Sequence, residues 1–472
     1  MIVMKFGGTS VGNAAAIKQV AGLVSKYADR KPVVTVSALS GVTDQLLALA
    51  RAAGSGDGAD PEAEIARLRE RHLVAVREAV DDEEMVQICG EQISKMCAEL
   101  LQVLRGVALL RELSGRSTDL IVSFGERLAA PAVAAAVASA GPAAGAVDAR
   151  MLIETDDRFT SANVRFEATN RKIRAVILPM IRQGVIPVVT GFIGATSEGI
   201  TTTLGRGGSD YTVAILAGAL DAEEIWLWKE VDGVMTADPN LVPDAAVLAE
   251  LSYDEAAEMS YFGAKVIHPK TMIPAVQRGI PIRLRNTFRP EAPGTVIGTR
   301  TGAAPLGAKA VTAAKKLAVA AIEGKGMSGI AGFAAQVFGA AGRHGINIVM
   351  FSQSSSEQTI CLVIESKDAA AMKTALEEEL REEVRAGMVE RITVEEGMAA
   401  VAVVGDGMRG STGVAARVFG AVAEAGVNIR AIAQGSSERN ISFVISEADV
   451  AAAVRSVHRA FALHELRAKI SV

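Results

Sequence analysis

Thr201-Thr202-Thr203-Leu204-Gly205-Arg206-Gly207-Gly208-Ser209-Asp210-Tyr211-Thr212 decides how the rest of this chain is read. Three hydroxyls, a fixed positive charge and three glycines lead to Ser209 and Asp210, and an apolar run from Ala214 to Leu220 follows. The glycines end a turn, and Ser209 or Asp210 suits the N-cap of a helix over that run. Unpaired N–H groups at a helix start attract anions. A guanidinium such as that of Arg206 grips a carboxylate or phosphate with two hydrogen bonds. The stretch reads as an anion-holding turn; the plainer reading is an ordinary glycine-rich loop, common in α/β chains.

Its counterpart lies far upstream. Ile2-Val3-Met4-Lys5-Phe6 is an apolar strand, followed at once by Gly7-Gly8-Thr9-Ser10. Glycine lets backbone approach a phosphate closely, because no Cβ intervenes. Lys5 leaves the strand end beside those amides. The spacing is not GxxxxGK[ST], so a P-loop nucleotidase is not supported. Alone, KFGG is a weak signal; together with GRGGSD it is a much stronger one.

The intervening chain alternates. A helical stretch, Ala14 to Tyr27, precedes the buried-type strand Pro32–Val36 and the hydroxyl-rich loop Ser37 to Asp44, which contains Thr43. A helix over Gln45–Ala53 and long charged helices from Glu62 to about Arg111 follow. Asp119–Phe124 has the composition of another strand, with Gly125-Glu126-Arg127 beginning the next helix. That would set Glu126 at the carboxyl edge of the sheet, where open α/β folds bind ligands. It could bind a substrate ammonium or cap the helix; Arg127 is read as structural. Asp148–Phe159 is expected as loop, Val164–Gln183 as helix and Gly184–Phe192 as strand. After the anchor helix, Glu224–Met235 reads as a strand and its turn, holding Trp226 and Trp228 at alternating positions; core packing could explain one of them. Lys265 is a candidate for nucleotide phosphates, His268 is read as structural, and Ile282–Asn286 as the last strand of this half. Such alternation predicts an α/β architecture with a largely parallel sheet. Arg300 to Ala314 lacks apolar periodicity and reads as a linker.

Composition narrows the function. The chain has 472 residues, more than one domain's worth. Half of it is hydrophobic but only 4% aromatic, so the core is built from Ala, Val, Ile and Leu. Net charge is −5 and no basic tract appears, so nucleic acid is not an expected partner. Cys89, Cys97 and Cys361 show neither metal-ligand spacing nor a disulfide framework. This fits a reducing cytoplasm. Met1 leads directly into a strand, with no signal-peptide pattern. The run Ala129 to Val147 is broken by Pro131, Gly141, Pro142 and Gly145, a poor membrane span.

The last third repeats itself. Gly326-Met327 matches Gly407-Met408, Val337-Phe338-Gly339 matches Val418-Phe419-Gly420, and Asn347 matches Asn428. Gln353 and Ser355-Ser356-Glu357 match Gln434 and Ser436-Ser437-Glu438 at the same spacing, with no gap. These are two copies of one small module, each reading strand, turn, helix, strand, strand. The turns differ: Ser328-Gly329-Ile330-Ala331 in one copy is Arg409-Gly410-Ser411-Thr412 in the other.

Lys5–Ser10, Ser123–Glu126, Thr201–Tyr211 and Phe262–Pro269, in this order, resemble the motif set of the aspartokinase family, and the repeats resemble its tandem ACT domains. The resemblance covers almost the whole chain. It is nearest to the monofunctional, threonine-sensitive type, because both repeats carry Gln-x-Ser-Ser-Glu. It implies a three-layer αβα amino-acid-kinase fold over 1–300 and a linker at 301–314. Two ferredoxin-like βαββαβ ACT domains would occupy 315–396 and 397–472. It implies transfer of the γ-phosphoryl group of ATP, with Mg2+, to the β-carboxylate of L-aspartate, in the cytoplasm, by a homodimer or larger homo-oligomer. By the same analogy Lys5 neutralises the transferring phosphoryl and Asp210 orients Lys5. Arg206 grips the substrate α-carboxylate, Glu126 its ammonium, and Thr43 and Ser209 hydrogen-bond aspartate. Gly7, Gly8, Ser10, Lys229, Glu230, Met235, Lys265 and Val266 line the nucleotide site. Met327, Asn347, Gln353, Asn428 and Gln434 would contact a feedback amino acid, threonine before lysine. No protein ligand for the metal ion is nameable. The chain departs from the family at Lys229-Glu230, at Met235 and at Asn240, which puts individual adenine and phosphate contacts in doubt. The rival readings are a kinase of glutamate or N-acetylglutamate, and a non-catalytic amino-acid sensor.

Overall fold

The computed structural model describes residues 1–56, 60–264, 267, 269–299, 302 and 304–466. The strands of the N-terminal half are short, and those at the centre of the large sheet are Val- and Ile-rich and fully buried, as strands covered on both faces must be. They are β1 (Ile2–Phe6), β2 (Val33–Val36), β3 (Ala144–Val147), β4 (Glu154–Thr155), β5 (Ile186–Thr190), β6 (Ile193–Thr196), β7 (Thr201–Thr203), β8 (Glu224–Lys229), β9 (Glu250–Ser252), β10 (Ile282–Asn286) and β11 (Thr295–Gly298). Eight form one sheet in the order β3-β5-β2-β1-β8-β10-β11-β9, and β4-β6-β7 form a small second sheet. Only the β10–β11 pair of the large sheet is antiparallel.

Helices α1 (Ala14–Lys26), α2 (Val42–Ser55), α3 (Pro61–Ala79), α4 (Glu83–Leu110) and α5 (Gly115–Ser139) supply one core. Helices α6 (Phe166–Arg182), α7 (Gly208–Leu220), α8 (Tyr253–Tyr261) and α9 (Pro269–Val276) supply the other. Strand alternation decides which side chain meets which layer. On β1, Ile2, Met4 and Phe6 join the α1/α5 core, while Val3 joins the α7 core. On β8, Trp226 and Trp228 face the first layer and Ile225 and Leu227 the second. Lys5 and Lys229 therefore both leave the sheet on the α7 side.

The C-terminal third contains β12 (Ala310–Glu323), α10 (Phe333–Arg343), β13 (Ile348–Gln353), β14 (Thr359–Glu365), α11 (Ala369–Glu379), α12 (Arg381–Arg385), β15 (Arg391–Val404), α13 (Val414–Glu424), β16 (Ala431–Gln434), β17 (Asn440–Ser446) and α14 (Val450–Ala460). The repeat has local counterparts in three dimensions as well: Glu357 and Glu438 share φ 56°. Each accepts a backbone N–H at 2.7 Å, from Gly329 and Gly410 respectively. The six strands form one sheet, β13-β14-β12-β15-β17-β16. Both long central strands are shared. Residues 317–323 of β12 pair with β14 as the first strand of the first module. Residues 310–314 of the same strand pair with Val404–Ala400 and fill the fourth-strand place of the second module.

Several expectations need correction. Asp119–Phe124 is not a strand but lies inside α5, a helix with sixteen buried residues that runs on through Pro131. A segment buried all round shows no helical face, so its apolar run looked like a core strand. The N-cap of α7 is Gly207, at φ 74°, so Ser209 and Asp210 sit in the first turn. Ala310–Ala314 is strand rather than linker. The sheet continues past β10 into β11, and both tryptophans, at 4% and 0% exposure, are core. Helix α5 is apolar and long enough to cross a membrane, but most of it is buried within the fold.

Candidate active site

The carboxyl ends of β1 and β8, the N-terminus of α7, the loop after β2 and the middle of α5 enclose a cavity of about 750 Å³. At its floor Lys5 Nζ lies 3.0 Å from Asp210 Oδ1, and Lys229 Nζ lies 3.7 Å from Asp210 Oδ2. Neighbouring parallel strands and a helix start thus supply two cations and one anion with little exposure. Burial pushes the Asp210 carboxyl up, but the two ammonium groups outweigh it and hold it below the usual carboxylate range. Burial also lowers the Lys229 ammonium, against the opposing pull of Asp210. The cluster carries a net positive charge facing the cavity, suited to an anionic ligand.

Glu126 reaches this cavity from α5, not from a sheet edge. Gly125 makes the approach possible: a Cβ there would stand 2.8 Å from Ala38 Cβ. With the helix that close, the Ala38 amide donates to Glu126 Oε1 at 3.2 Å. Glu126 Oε2 is buried and has no hydrogen-bond partner among the described residues. Burial pushes this carboxyl up to about 8, against the weaker pull of the Ala38 amide and Lys5. A buried, half-satisfied carboxyl beside a cation-lined cavity is built to receive a donor from a ligand.

The glycine turn is held from behind by Asp119, which sequence reading passed over because it was placed on a strand. Its carboxylate accepts from the amides of Thr160 at 2.8 Å and Thr203 at 3.0 Å, and from the Thr203 hydroxyl at 2.8 Å. Thr203 leads directly into Gly205 and Gly207, at φ 75° and 74°. Between these left-handed glycines Arg206 projects, exposed, into the cavity rim. Thr43 and Ser209 line the same space. Arg127 is structural, stacked over Phe124 at 4.2 Å and paired with Glu99 at 3.1 Å.

Gly7 and Gly8 line the cavity, with Lys5 Nζ beside Gly7. Ser10 does not reach it: its hydroxyl is buried 2.8 Å from that of Thr287. Thr9, the neighbour, lines the cavity instead and donates to Glu230 at 2.8 Å. Lys229 and Glu230 also border a second cavity of about 420 Å³, which holds Met235. Asn240 points away and hydrogen-bonds Asp238. Lys265, Val266 and His268 lie outside the described residues.

Of the five residues assigned to an effector, one is buried and four are exposed. Met327 is packed in the core of the first module. Asn347, Gln353, Asn428 and Gln434 are exposed. Of these, Gln434 borders a cavity of about 640 Å³ between α8 and strands β13 and β16.

The fold joins an α/β half built on a mainly parallel sheet to a pair of duplicated small modules. Residues 1–286 match the amino acid kinase family, and 321–380 and 401–461 match the ACT domain. Aspartokinase 1, chloroplastic, of Arabidopsis thaliana is 34% identical over 97% of this chain and 80% of its own length. The bifunctional aspartokinase/homoserine dehydrogenase 2, chloroplastic, of Zea mays is 34% identical over the whole chain. The chain spans about half the length of that relative, 51%. The structure of E. coli aspartokinase III with aspartate and ADP superposes with a TM-score of 0.81, at 31% identity over 98% of this chain and 99% of that one. The same enzyme with lysine and aspartate gives 0.78. The chain belongs to the aspartokinase family.

Proposed function

We propose that this chain phosphorylates the β-carboxylate of L-aspartate with ATP–Mg2+, giving 4-phospho-L-aspartate and ADP. The observation that carries this reading is the Lys5–Asp210–Lys229 cluster at the floor of a cavity rimmed by Arg206 and Glu126. The acceptor carboxylate has a solution pKa of about 4 and is already a nucleophile at neutral pH. No general base is required, and the work is positioning and charge stabilisation. Lys5, oriented by Asp210, neutralises charge as the acceptor oxygen bonds to the γ-phosphorus and the bridging oxygen leaves with ADP. The Gly7 and Gly8 amides sit beside the phosphates. Arg206 pairs with the substrate α-carboxylate, and Thr43 and Ser209 give it further hydrogen bonds. Glu126 pairs with the ammonium, whose charge favours the ionised carboxylate. Thr9 already occupies Glu230 and the lysines occupy Asp210, so ATP oxygens and water supply most of the magnesium shell.

The repeat modules, by this proposal, bind a feedback amino acid between copies of the chain, which suits the exposure of Asn347, Gln353, Asn428 and Gln434. Threonine is the favoured effector because both copies keep Gln-x-Ser-Ser-Glu. The lysine complex of E. coli aspartokinase III supports lysine as the alternative. The deciding experiment is aspartate-dependent ADP release, titrated separately with threonine and lysine. Turnover suppressed by threonine alone supports the full reading. Suppression by lysine alone reassigns the effector, and absence of turnover with aspartate overturns the substrate.

A further inference from the structure

Three side chains with metal-binding chemistry converge away from the catalytic cavity. Asp244 is exposed on the segment between β8 and β9 of the kinase half. His458 lies on α14 of the second module, and His464 on the short 3-10 turn that follows it, Leu463–Glu465. One ligand atom of each lies within 4.8 Å of those of the other two. The imidazole centroids are 6.4 Å apart.

His458 is the fixed member. It is buried, and its Nε2 lies 2.9 Å from Thr236 Oγ1, which also accepts the Ala246 amide at 2.9 Å. Metal-bound histidines hold their orientation by giving the other ring N–H to a neighbouring acceptor. In the His458 tautomer protonated at Nε2, Thr236 is such an acceptor, and Nδ1 is left for an ion. Asp244 and His464 are the adjustable members, since both have exposed surface. Ligand atoms around tetrahedral zinc stand roughly 3.3 Å apart, so rotation of these two side chains is enough to close the site. Glu465, 3.8 Å from His464 Nε2, adds negative charge at the rim.

We propose that Asp244, His458 and His464 form a binding site for a late first-row divalent cation, best matched by zinc, that ties the kinase half to the end of the second module. Two imidazoles and one carboxylate suit zinc, whereas magnesium takes an all-oxygen shell. The site is therefore chemically separate from the ATP–Mg2+ cavity. An ion held there would join segments already connected by packing, by the Thr236–His458 hydrogen bond and by Arg455, which donates to the Leu241 carbonyl at 2.6 Å.

The test uses the full chain, stripped with a chelator and titrated with Co2+ and then Zn2+. The expected result is a visible cobalt d–d band displaced by about one equivalent of Zn2+, with a zinc-dependent rise in Tm. His464→Ala and, separately, Asp244→Asn should each weaken zinc binding at least tenfold while leaving ADP release unchanged. Thr236→Val should weaken it about 10–100-fold, as for loss of a supporting partner of a ligating histidine. Absence of a cobalt band and of zinc retention in the unaltered chain would overturn the proposal. So would His464→Ala and Asp244→Asn variants that bind zinc as tightly as the parent, because the ion would then sit elsewhere.

Discussion

The amide of Ala38 donates to Glu126 at 3.2 Å, joining the loop after β2 to the centre of α5. Burial, against the weaker pull of this contact, sets how the proposed ammonium site titrates. The carboxyl is pushed up to about 8 by burial, so near neutrality the empty site holds a proton that an ammonium ligand must displace. Aspartate KM should therefore fall as pH rises toward 8 and level off above it. Glu126→Gln should abolish that dependence and raise KM at every pH. Initial rates from pH 6 to 9 check this; an unchanged slope in the variant would remove Glu126 from the ammonium.

The same shift has a stability consequence of known sign. A carboxyl raised from 4.5 to about 8 on folding contributes fully below the lower value and loses its contribution as pH climbs to the higher one. The Tm advantage of Glu126→Gln over the parent, without ligands, should grow between pH 5 and 8 and then stay constant, reaching on the order of a few degrees. Thermal scans at four pH values decide it. An advantage that shrinks with pH would contradict the assignment.

Gly125→Ala places a methyl 2.8 Å from Ala38 Cβ, with the remaining neighbours no nearer than 3.6 Å. The expected cost is about 1–3 kcal/mol, the usual range for overpacking, with a rise in aspartate KM as Glu126 moves off Ala38. Adding Ala38→Gly removes the opposing methyl and should restore most of both losses. Urea unfolding of the single and double variants measures the coupling, and simple additivity would refute the steric argument.

Lys5→Ala should lower kcat by roughly 10²–10³, as for loss of a preorganised charge-stabilising donor. Arg206→Ala should instead raise KM for aspartate more than KM for ATP. Steady-state kinetics with each substrate varied separates the two roles; a Lys5→Ala loss below tenfold would exclude its assigned part.

Asp119→Ala leaves the part-buried Thr160 amide and the buried Thr203 amide and hydroxyl without their acceptor. Loss of a buried polar hub of this kind costs on the order of 2–4 kcal/mol. Since Thr203 leads into the turn bearing Arg206, aspartate KM should rise as well. Chemical denaturation together with kinetics checks both; loss of stability with KM intact would confine Asp119 to the fold.

The parts of the site that lie on short strands and glycine turns were legible in the sequence. Lys5 and Lys229 follow from strand alternation once two parallel strands are recognised, and Asp210 follows from the helix that the glycines begin. Glu126 was legible as a residue but not as a place, because Asp119–Phe124 is a run of apolar and β-branched side chains that periodicity alone cannot assign. Its helix is fixed instead by the Ser114 cap, which accepts from the Ser117 amide at 3.1 Å, and by burial on all sides. Only the three-dimensional path of the turn shows Ser10 engaging Thr287 while Thr9 lines the cavity. Asp119 carried no local signal, since its three donors come from distant segments. Residues 310–314 looked like linker because their partners, Val404–Ala400, are remote in the chain.

That last pairing also sets a timetable. Strand 310–314 emerges from the ribosome before the first repeat, yet its partner strand follows only about ninety residues later, on the order of five to twenty seconds at ordinary rates of synthesis. Throughout that interval the kinase half is complete while one of its outgoing strands lacks a neighbour. A chain halted after the first repeat would carry an open strand edge, and such edges recruit other chains. The second repeat therefore closes the first-made strand as well as forming a module of its own.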